Sequence, residues 1–137
     1  VQGRDPDLLG HVRSGTGVTL LAEGLLVIQP VLNREVGACI AHIAGREGAF
    51  GGIFNCAGPE RHTTRRYYQM IADRLGVPLK TETMTVGEYL RRWPEKAPFA
   101  RHRPYDLTRL LQATGYRPQF SLKAALDETI DWLEQQA

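Results

Sequence analysis

The sequence predicts an α/β fold with α+β character, a small mixed domain of short strands and about five to six helices. Short apolar or β-branched runs alternate along the chain with longer segments in which apolar residues recur every three or four positions. Glycines and prolines separate these segments, and the chain contains no internal repeat, low-complexity tract or obvious linker. Since 137 residues, 42% of them hydrophobic, suffice for one buried core, we expect residues 1–137 to form a single domain.

The first third of the chain predicts one helix and two extended segments. Asp5-Pro6-Asp7 is typical of a helix start, because Asp accepts free amide protons and Pro fits the first turn, and a helix over residues 8–13 follows. The β-branched and apolar residues 18–22 predict a strand, which Glu23-Gly24 turns. Residues 25–32 are a second extended candidate, which Pro30 restricts to a sheet edge or a loop.

The middle third predicts two helices around a strand. Asn33 is a good N-cap for a helix that ends near residue 44. The helical period places on one face of it Val36, Ile40 and Ile43. Residues 52–57 are apolar and bounded by glycines, which predicts a short strand. Thr63 or Thr64 caps the next helix, and Gly76 ends it.

The last third predicts a strand and three helices. Residues 78–84 form the strand candidate, and residues 86–93 form a short helix that the following proline stops. Residues 96–104 are irregular and basic. Asp106 caps a helix that ends at Gly115, and Ser121 caps the last helix, whose apolar residues share a single face.

Composition excludes several classes of function. A formal net charge of +2 is too mild to indicate binding to nucleic acid or to an anionic membrane. Cys39 and Cys56 fit no metal-ligand spacing and lie in apolar surroundings, so we expect buried free thiols, a cytoplasmic protein and no metal site. The apolar run at residues 25–28 is far too short to cross a bilayer, and no leader pattern opens the chain.

Two motifs of nicotinamide enzymes are absent or misplaced. A catalytic Tyr-x-x-x-Lys pair lowers the pKa of the phenol, but none of the five tyrosines has Lys four residues on. Gly45-x-x-Gly48-x-x-Gly51 has the spacing of a dinucleotide-binding loop, yet it follows a predicted helix and leads into a predicted strand, the reverse of the required order. We therefore expect no catalytic residue and no cofactor site on this chain.

The stretch over residues 91–105 is the best candidate for ligand binding by composition. It carries five Lys or Arg residues against one Glu, and three aromatic residues are interleaved with them. Guanidinium groups suit phosphate oxygens and aromatic faces suit bases, so one hypothesis is a nucleic-acid-binding module. The alternative is a solvated loop whose aromatic residues are tucked into the core.

Three segments together resemble the extended short-chain dehydrogenase/reductases, the family of NAD-dependent epimerases and dehydratases of nucleotide sugars. Val1-Gln2-Gly3-Arg4-Asp5 is similar to a turn after the sixth strand of the cofactor domain, and suggests a chain cut from a longer one. Residues 52–60, with the Thr63-Thr64 helix start, resemble a strand and helix of that family. Residues 105–132 resemble its closing pattern, in which Tyr105-Asp106, Gly115-Tyr116-Arg117-Pro118 and Ser121-Leu122 fall in the family's order.

The resemblance implies a C-terminal, substrate-binding domain that does not catalyse alone. The cofactor, NAD or NADP, and the catalytic Tyr-Lys pair would belong to an N-terminal Rossmann domain that precedes Val1. By position, the family suggests Gln29 beside a small, sugar-like substrate and Arg101 or Arg103 as its anion contact. Ile28 stands near the position where many members carry a diphosphate-binding Arg.

The resemblance also implies two partners. The Rossmann domain is the first, since residues 52–57 join the edge of its sheet in the resembling enzymes. A second copy is the other, because a severed apolar strand pairs readily with another chain. A stand-alone interaction or nucleic-acid-binding domain that uses residues 91–105 is the competing hypothesis.

Overall fold

The computed structural model describes residues 8–135, with side chains from residue 9 onward, so the predicted helix start at Asp5-Pro6-Asp7 lies outside the described residues. Six α-helices and four short strands occur in this part of the chain. The helices are α1 (Leu8–Ser14), α2 (Asn33–Ile43), α3 (Thr64–Leu75), α4 (Val86–Arg92), α5 (Thr108–Thr114) and α6 (Leu122–Gln135). The strands are β1 (Val18–Leu21), β2 (Val27–Ile28), β3 (His62–Thr63) and β4 (Thr81–Met84). The predicted mixed class, with its short strands and number of helices, is confirmed.

The strands form two separate pairs. β1 and β4 are parallel, with Val18 opposite Thr81 and Leu21 opposite Met84. β2 and β3 are antiparallel, and a single parallel bridge joins Ile28 of β2 to Arg103. Through these pairings, the segment after β2 lies beside the segment before α5, which positions the candidate site.

The core consists of two clusters. The larger one packs α1, β1, α3 and α6 together, and its buried members are Val12, Val18, Leu20, Ile71, Ala72, Leu122, Leu126 and Ile130. Because these residues recur at helical or alternating spacing, the sequence pattern accounts for this cluster. The smaller cluster joins α2 to α5 through Cys39, Leu110 and Tyr116.

Caps predicted from the sequence form at α3 and α6. The Thr63 hydroxyl accepts a hydrogen bond from the Arg66 amide, and Gly76 ends α3 in the left-handed conformation at φ 67°. The Ser121 hydroxyl accepts a hydrogen bond from the Ala124 amide at 3.2 Å. These contacts satisfy backbone groups that a helix end would otherwise leave unpaired.

Three local predictions are wrong. Asn33 is the first residue of α2, with Leu32 at the N-cap position, and its Oδ1 accepts a hydrogen bond from the adjacent Arg34 amide at 2.8 Å. Leu107 rather than Asp106 is at the N-cap position of α5, although the Asp106 carboxylate accepts a hydrogen bond from the Thr108 amide at the helix start, and Gly115 ends the helix as predicted. The predicted irregular stretch contains a 3-10 helix at Pro94–Phe99.

The predicted strand over residues 52–57 is also wrong. This segment joins neither strand pair, and among residues 8–135 its amides from Ile53 to Ala57 donate no hydrogen bond to a backbone carbonyl. The antiparallel partner of β2 is instead β3, at the end of the following loop. An apolar, glycine-bounded run therefore lies here without the ladder that would make it a strand.

Candidate functional site

Gln29 holds three loops together through one buried carboxamide. Its Nε2 donates to the Gly58 carbonyl at 2.7 Å. Its Oε1 accepts from the Tyr105 amide at 2.9 Å and from Nε of Arg61 at 3.3 Å. Nη2 of Arg61 closes the arrangement by donating to the Tyr105 carbonyl at 3.1 Å. We call these four residues the Gln29 network; both ends of the amide are used within the protein.

A cleft of about 450 Å³ lies beside this network. One wall is the segment over residues 28–33, and the other is formed by helices α3 and α6. Cys56 and Ala57 also line the cleft, as do Arg103 and Tyr105. We call it the Gln29 cleft, and its volume is within the range of small-molecule sites.

Arg103 and Gln29 meet at this cleft, whereas Arg101 does not line it. The Arg103 amide donates to the Val27 carbonyl at 2.8 Å, which fixes the backbone next to β2. The guanidinium carbon of Arg103 lies 5.3 Å from the centre of the Phe99 ring. Arg101 is exposed on the preceding turn. The structure thus brings together two of the three substrate-contact candidates.

Ile28 forms part of the apolar wall of the same cleft. Its side chain is buried, at 3% exposure, and it carries no polar group to hold an anion. Asn33 and Thr129 add uncharged polar groups to the lining. Arg103 is therefore the cation of the Gln29 cleft.

The Cys56 thiol is protonated at neutral pH. Burial, together with the neighbouring Cys39, raises the pKa of Cys56 to about 11. Both cysteines are free, and Cys39 is buried in the smaller core cluster. Because the thiolate is the reactive form, Cys56 is a packing residue of the cleft and no activated nucleophile.

A second buried network anchors α2 and was missed by sequence reasoning. The Glu35 carboxylate is 1% exposed and accepts hydrogen bonds from the Tyr116 hydroxyl and from the amides of Gln119 and Phe120, the latter two at 2.7 and 2.8 Å. Burial, followed by the bond to Glu35, raises the pKa of Tyr116 above its ordinary value. The sequence signal that could have revealed this network is the four-residue spacing of Glu35 and Cys39, which places the carboxylate on the same helix face as the buried Cys39.

In the basic, aromatic stretch over residues 91–105, neighbouring side chains cover the Trp93 ring, whereas Phe99 and Tyr105 are partly exposed. The Arg92 guanidinium lies 4.5 Å from the Trp93 ring centre, and the Lys96 ammonium lies 5.0 Å from it. The Tyr89 ring packs against the same indole at 5.2 Å. Because base stacking needs a free aromatic face, this packing leaves Trp93 poorly suited to it.

The glycine-rich stretch over residues 45–51 lies between α2 and residues 52–57. It contains a 3-10 turn at Glu47–Ala49, and no α-helix begins there. A dinucleotide pyrophosphate binds at a helix N-terminus, so this loop does not fit that group. Within residues 8–135, no helix has the length and apolar character needed to cross a membrane, and no group of three or more His, Cys, Asp or Glu could hold a metal ion.

Several large apolar side chains face solvent in and near residues 52–57. Ile53 is 84% exposed, Phe50 70% and Ile40 of α2 60%. Among residues 8–135, the amides of residues 53–57, Ile53 included, donate no hydrogen bond to a backbone carbonyl. Exposed apolar side chains next to unpaired backbone are typical of an interaction surface.

No protein-family model matches the sequence, and neither does any curated protein. Solved structures with the same fold include the dTDP-glucose 4,6-dehydratase of Bacillus anthracis in complex with NAD, at TM-score 0.73, 19% identity, 95% coverage of this chain and 38% of that one. The UDP-glucuronic acid 4-epimerase of Bacillus cereus in complex with NAD has TM-score 0.74 and 13% identity, over 94% of this chain and 38% of that one.

The DesIV dTDP-glucose 4,6-dehydratase of Streptomyces venezuelae has TM-score 0.72 and 22% identity, over 98% of this chain and 39% of that one. This chain therefore spans about two fifths of the length of these neighbours. The chain therefore has the fold of one part of each of these enzymes, in agreement with the resemblance predicted from the sequence.

Proposed function

We propose that this chain is the C-terminal, substrate-binding domain of an NAD-dependent sugar epimerase or dehydratase, because it shares its fold with a part of such enzymes. The observation that carries the proposal is the match over at least 94% of this chain to enzymes whose names include a nucleotide sugar. The chain offers no Tyr-x-x-x-Lys pair and no fitting dinucleotide loop. A separate Rossmann domain would hold NAD or NADP, whose nicotinamide carries the hydride in this chemistry.

We place the substrate in the Gln29 cleft. The apolar wall can cover a sugar-sized body, and Arg103 provides a guanidinium for an anionic group of the ligand. Gln29 orients the site indirectly, since it binds the Tyr105 amide two residues beyond Arg103. Free cysteines, and a chain that binds a soluble sugar derivative, suit a cytoplasmic enzyme.

Replacing Arg103 with Gln is expected to weaken binding of UDP-glucuronic acid about tenfold or more. A charge-assisted hydrogen bond contributes roughly 1.5–3 kcal/mol, and Ile28 cannot replace it. Arg101→Gln should have a smaller effect, because Arg101 is exposed and does not line the cleft. Calorimetric titration of the chain measures both affinities.

Arg91→Gln is the matched control for charge, since Arg91 is exposed on α4 and should leave the affinity unchanged. NAD provides the second control. Saturable binding of NAD tighter than about 100 μM, which corresponds to roughly 5 kcal/mol, would contradict the assignment of the cofactor to another domain. Equal affinity in the Arg103 variant and the wild type would instead remove the substrate from this cleft.

The proposed docking surface for the Rossmann domain is the segment over residues 53–57 with its exposed apolar neighbours. Its amides donate no backbone hydrogen bond within residues 8–135, so a strand of the partner domain can pair with them. Ile53 and Phe50 would lose their solvent exposure in the same contact. Without that partner, a second copy of the chain is the competing occupant.

The purified chain is accordingly expected to self-associate as its concentration rises. Light scattering reports the mass, and hydrogen exchange reports the amides of Ile53 to Cys56, which should gain protection only in the associated state. Ile53→Glu should keep the chain monomeric, because a charged side chain beside the amides of residues 53–57 opposes their pairing with another chain. A wild-type monomer at high concentration with those amides strongly protected would contradict this proposal.

A further inference from the structure

A groove of about 660 Å³ shares Gln29 and Tyr105 with the cleft but is otherwise built from different residues. Its charged members are Arg61, Asp106 and Arg117. Its apolar members include Leu107 and Leu111, at the start and in the middle of the α5 region, and Pro118 from the loop before α6. The groove therefore combines apolar surface with a small set of charges, as ligand sites commonly do.

Arg61 is held in a fixed orientation. Nε of Arg61 donates a hydrogen bond to Gln29, which is 7% exposed, and Nη2 of Arg61 donates one to the Tyr105 carbonyl. Within residues 8–135, Nη1 of Arg61 donates no hydrogen bond. Since a guanidinium has five N–H donors, a fixed Arg61 keeps donors available to a ligand without the loss of side-chain freedom that binding usually requires.

The charges of the groove favour a ligand with a single negative charge. Arg61 and Arg117 are positive, and Asp106 is negative, so one positive charge remains uncompensated. Hydrogen bonding to the Thr108 side chain, and then to the Thr108 amide at 2.9 Å, lowers the pKa of Asp106, so its carboxylate stays ionised at neutral pH. A dianion would bring a second negative charge close to this carboxylate.

We propose that this groove binds a carboxylate that carries an apolar group. The carboxylate pairs with Arg61 and Arg117, and the apolar group contacts Leu107 and Leu111. This site is separate from the proposed substrate cleft, because neither Arg61 nor Arg117 lines the cleft and Arg103 does not line the groove.

Benzoate is a suitable probe, with benzyl alcohol as its neutral analogue and inorganic phosphate as a dianionic competitor. In an NMR titration of the chain, benzoate should shift the amides of residues 105–111. It should bind at least tenfold more tightly than benzyl alcohol and more tightly than phosphate at pH 8. Tighter binding of phosphate, or equal affinity for benzyl alcohol and benzoate, would overturn the proposal.

Two variants, Arg117→Gln and Arg61→Gln, test the groove, so the test does not depend on a single variant that could fail to fold. Arg117→Gln removes a side chain that makes no hydrogen bond or ion pair within residues 8–135, and it should weaken benzoate about threefold or more. Arg61→Gln should weaken it about tenfold, while Arg103→Gln and Arg91→Gln should leave it unchanged. An unchanged benzoate affinity in the Arg117→Gln variant would overturn the assignment of the carboxylate to this groove. So would a loss of benzoate affinity in the Arg91→Gln variant as large as the loss in the Arg117→Gln variant.

Discussion

Replacing Glu35 with alanine is expected to lower the free energy of unfolding by about 3–5 kcal/mol. The carboxylate accepts hydrogen bonds from the Tyr116 hydroxyl and from the amides of Gln119 and Phe120, and it is 1% exposed. Without it, these buried donors have no acceptor, and each unsatisfied donor costs roughly 1–3 kcal/mol. The substitution also leaves a cavity between α2 and the loop before α6.

Urea denaturation followed by circular dichroism measures this loss. Glu95→Ala is the matched control, because Glu95 is exposed and its substitution should change the free energy by less than about 0.5 kcal/mol. Glu35→Gln keeps the volume but turns one acceptor into a donor, so its effect should fall between the two. Equal stability of the Glu35→Ala and Glu95→Ala variants would show that the network contributes nothing.

The second large effect is expected from Gly58→Ala. A Cβ built at this position lies 2.2 Å from the Pro30 carbonyl oxygen, which accepts the Gly58 amide in the native structure. The backbone must therefore move, and the Gly58 carbonyl moves away from Gln29, which bonds it at 2.7 Å. We expect a loss of about 2–3 kcal/mol in unfolding free energy, as for overpacked cores.

A glycine with free space provides the control for Gly58. A Cβ at Gly37 of α2 meets no atom within 4 Å, so Gly37→Ala should stabilise the protein by about 0.5–1 kcal/mol through helix propensity. The two substitutions add the same methyl group and should change stability in opposite directions. Thermal or urea unfolding that shows the same sign for both would contradict the role of the Pro30 contact.

The helices were largely predictable because their signals are local. Thr63 and Gly76 bound α3 through contacts within four residues, and Ser121 caps α6 in the same way. The buried face of α2 was harder to predict from the sequence. Ile40 is 60% exposed, whereas Glu35 and Cys39 are buried, since the long-range contacts with Tyr116 decide which face turns inward.

In the candidate site, too, some residues could be predicted from the sequence and others could not. The resemblance placed Gln29 and Arg103 near a substrate, and the structure brings both to one cleft. The role of Arg61 could not be predicted, because its partners Gln29 and Tyr105 are more than thirty and forty residues away in the chain. Pairwise contacts at such separations leave no periodic pattern in a single sequence.

The parallel pairing of β1 with β4 also affects how the chain folds. Val18 and Thr81 are more than sixty residues apart in sequence, with α2 and α3 between them. Their ladder can form only after the intervening chain has closed into a large loop, at an entropic cost that the transition state must already bear. We therefore expect the meeting of β1 and β4 to limit the folding rate, and we expect substitutions in α2, which lies entirely within the loop, to change that rate little.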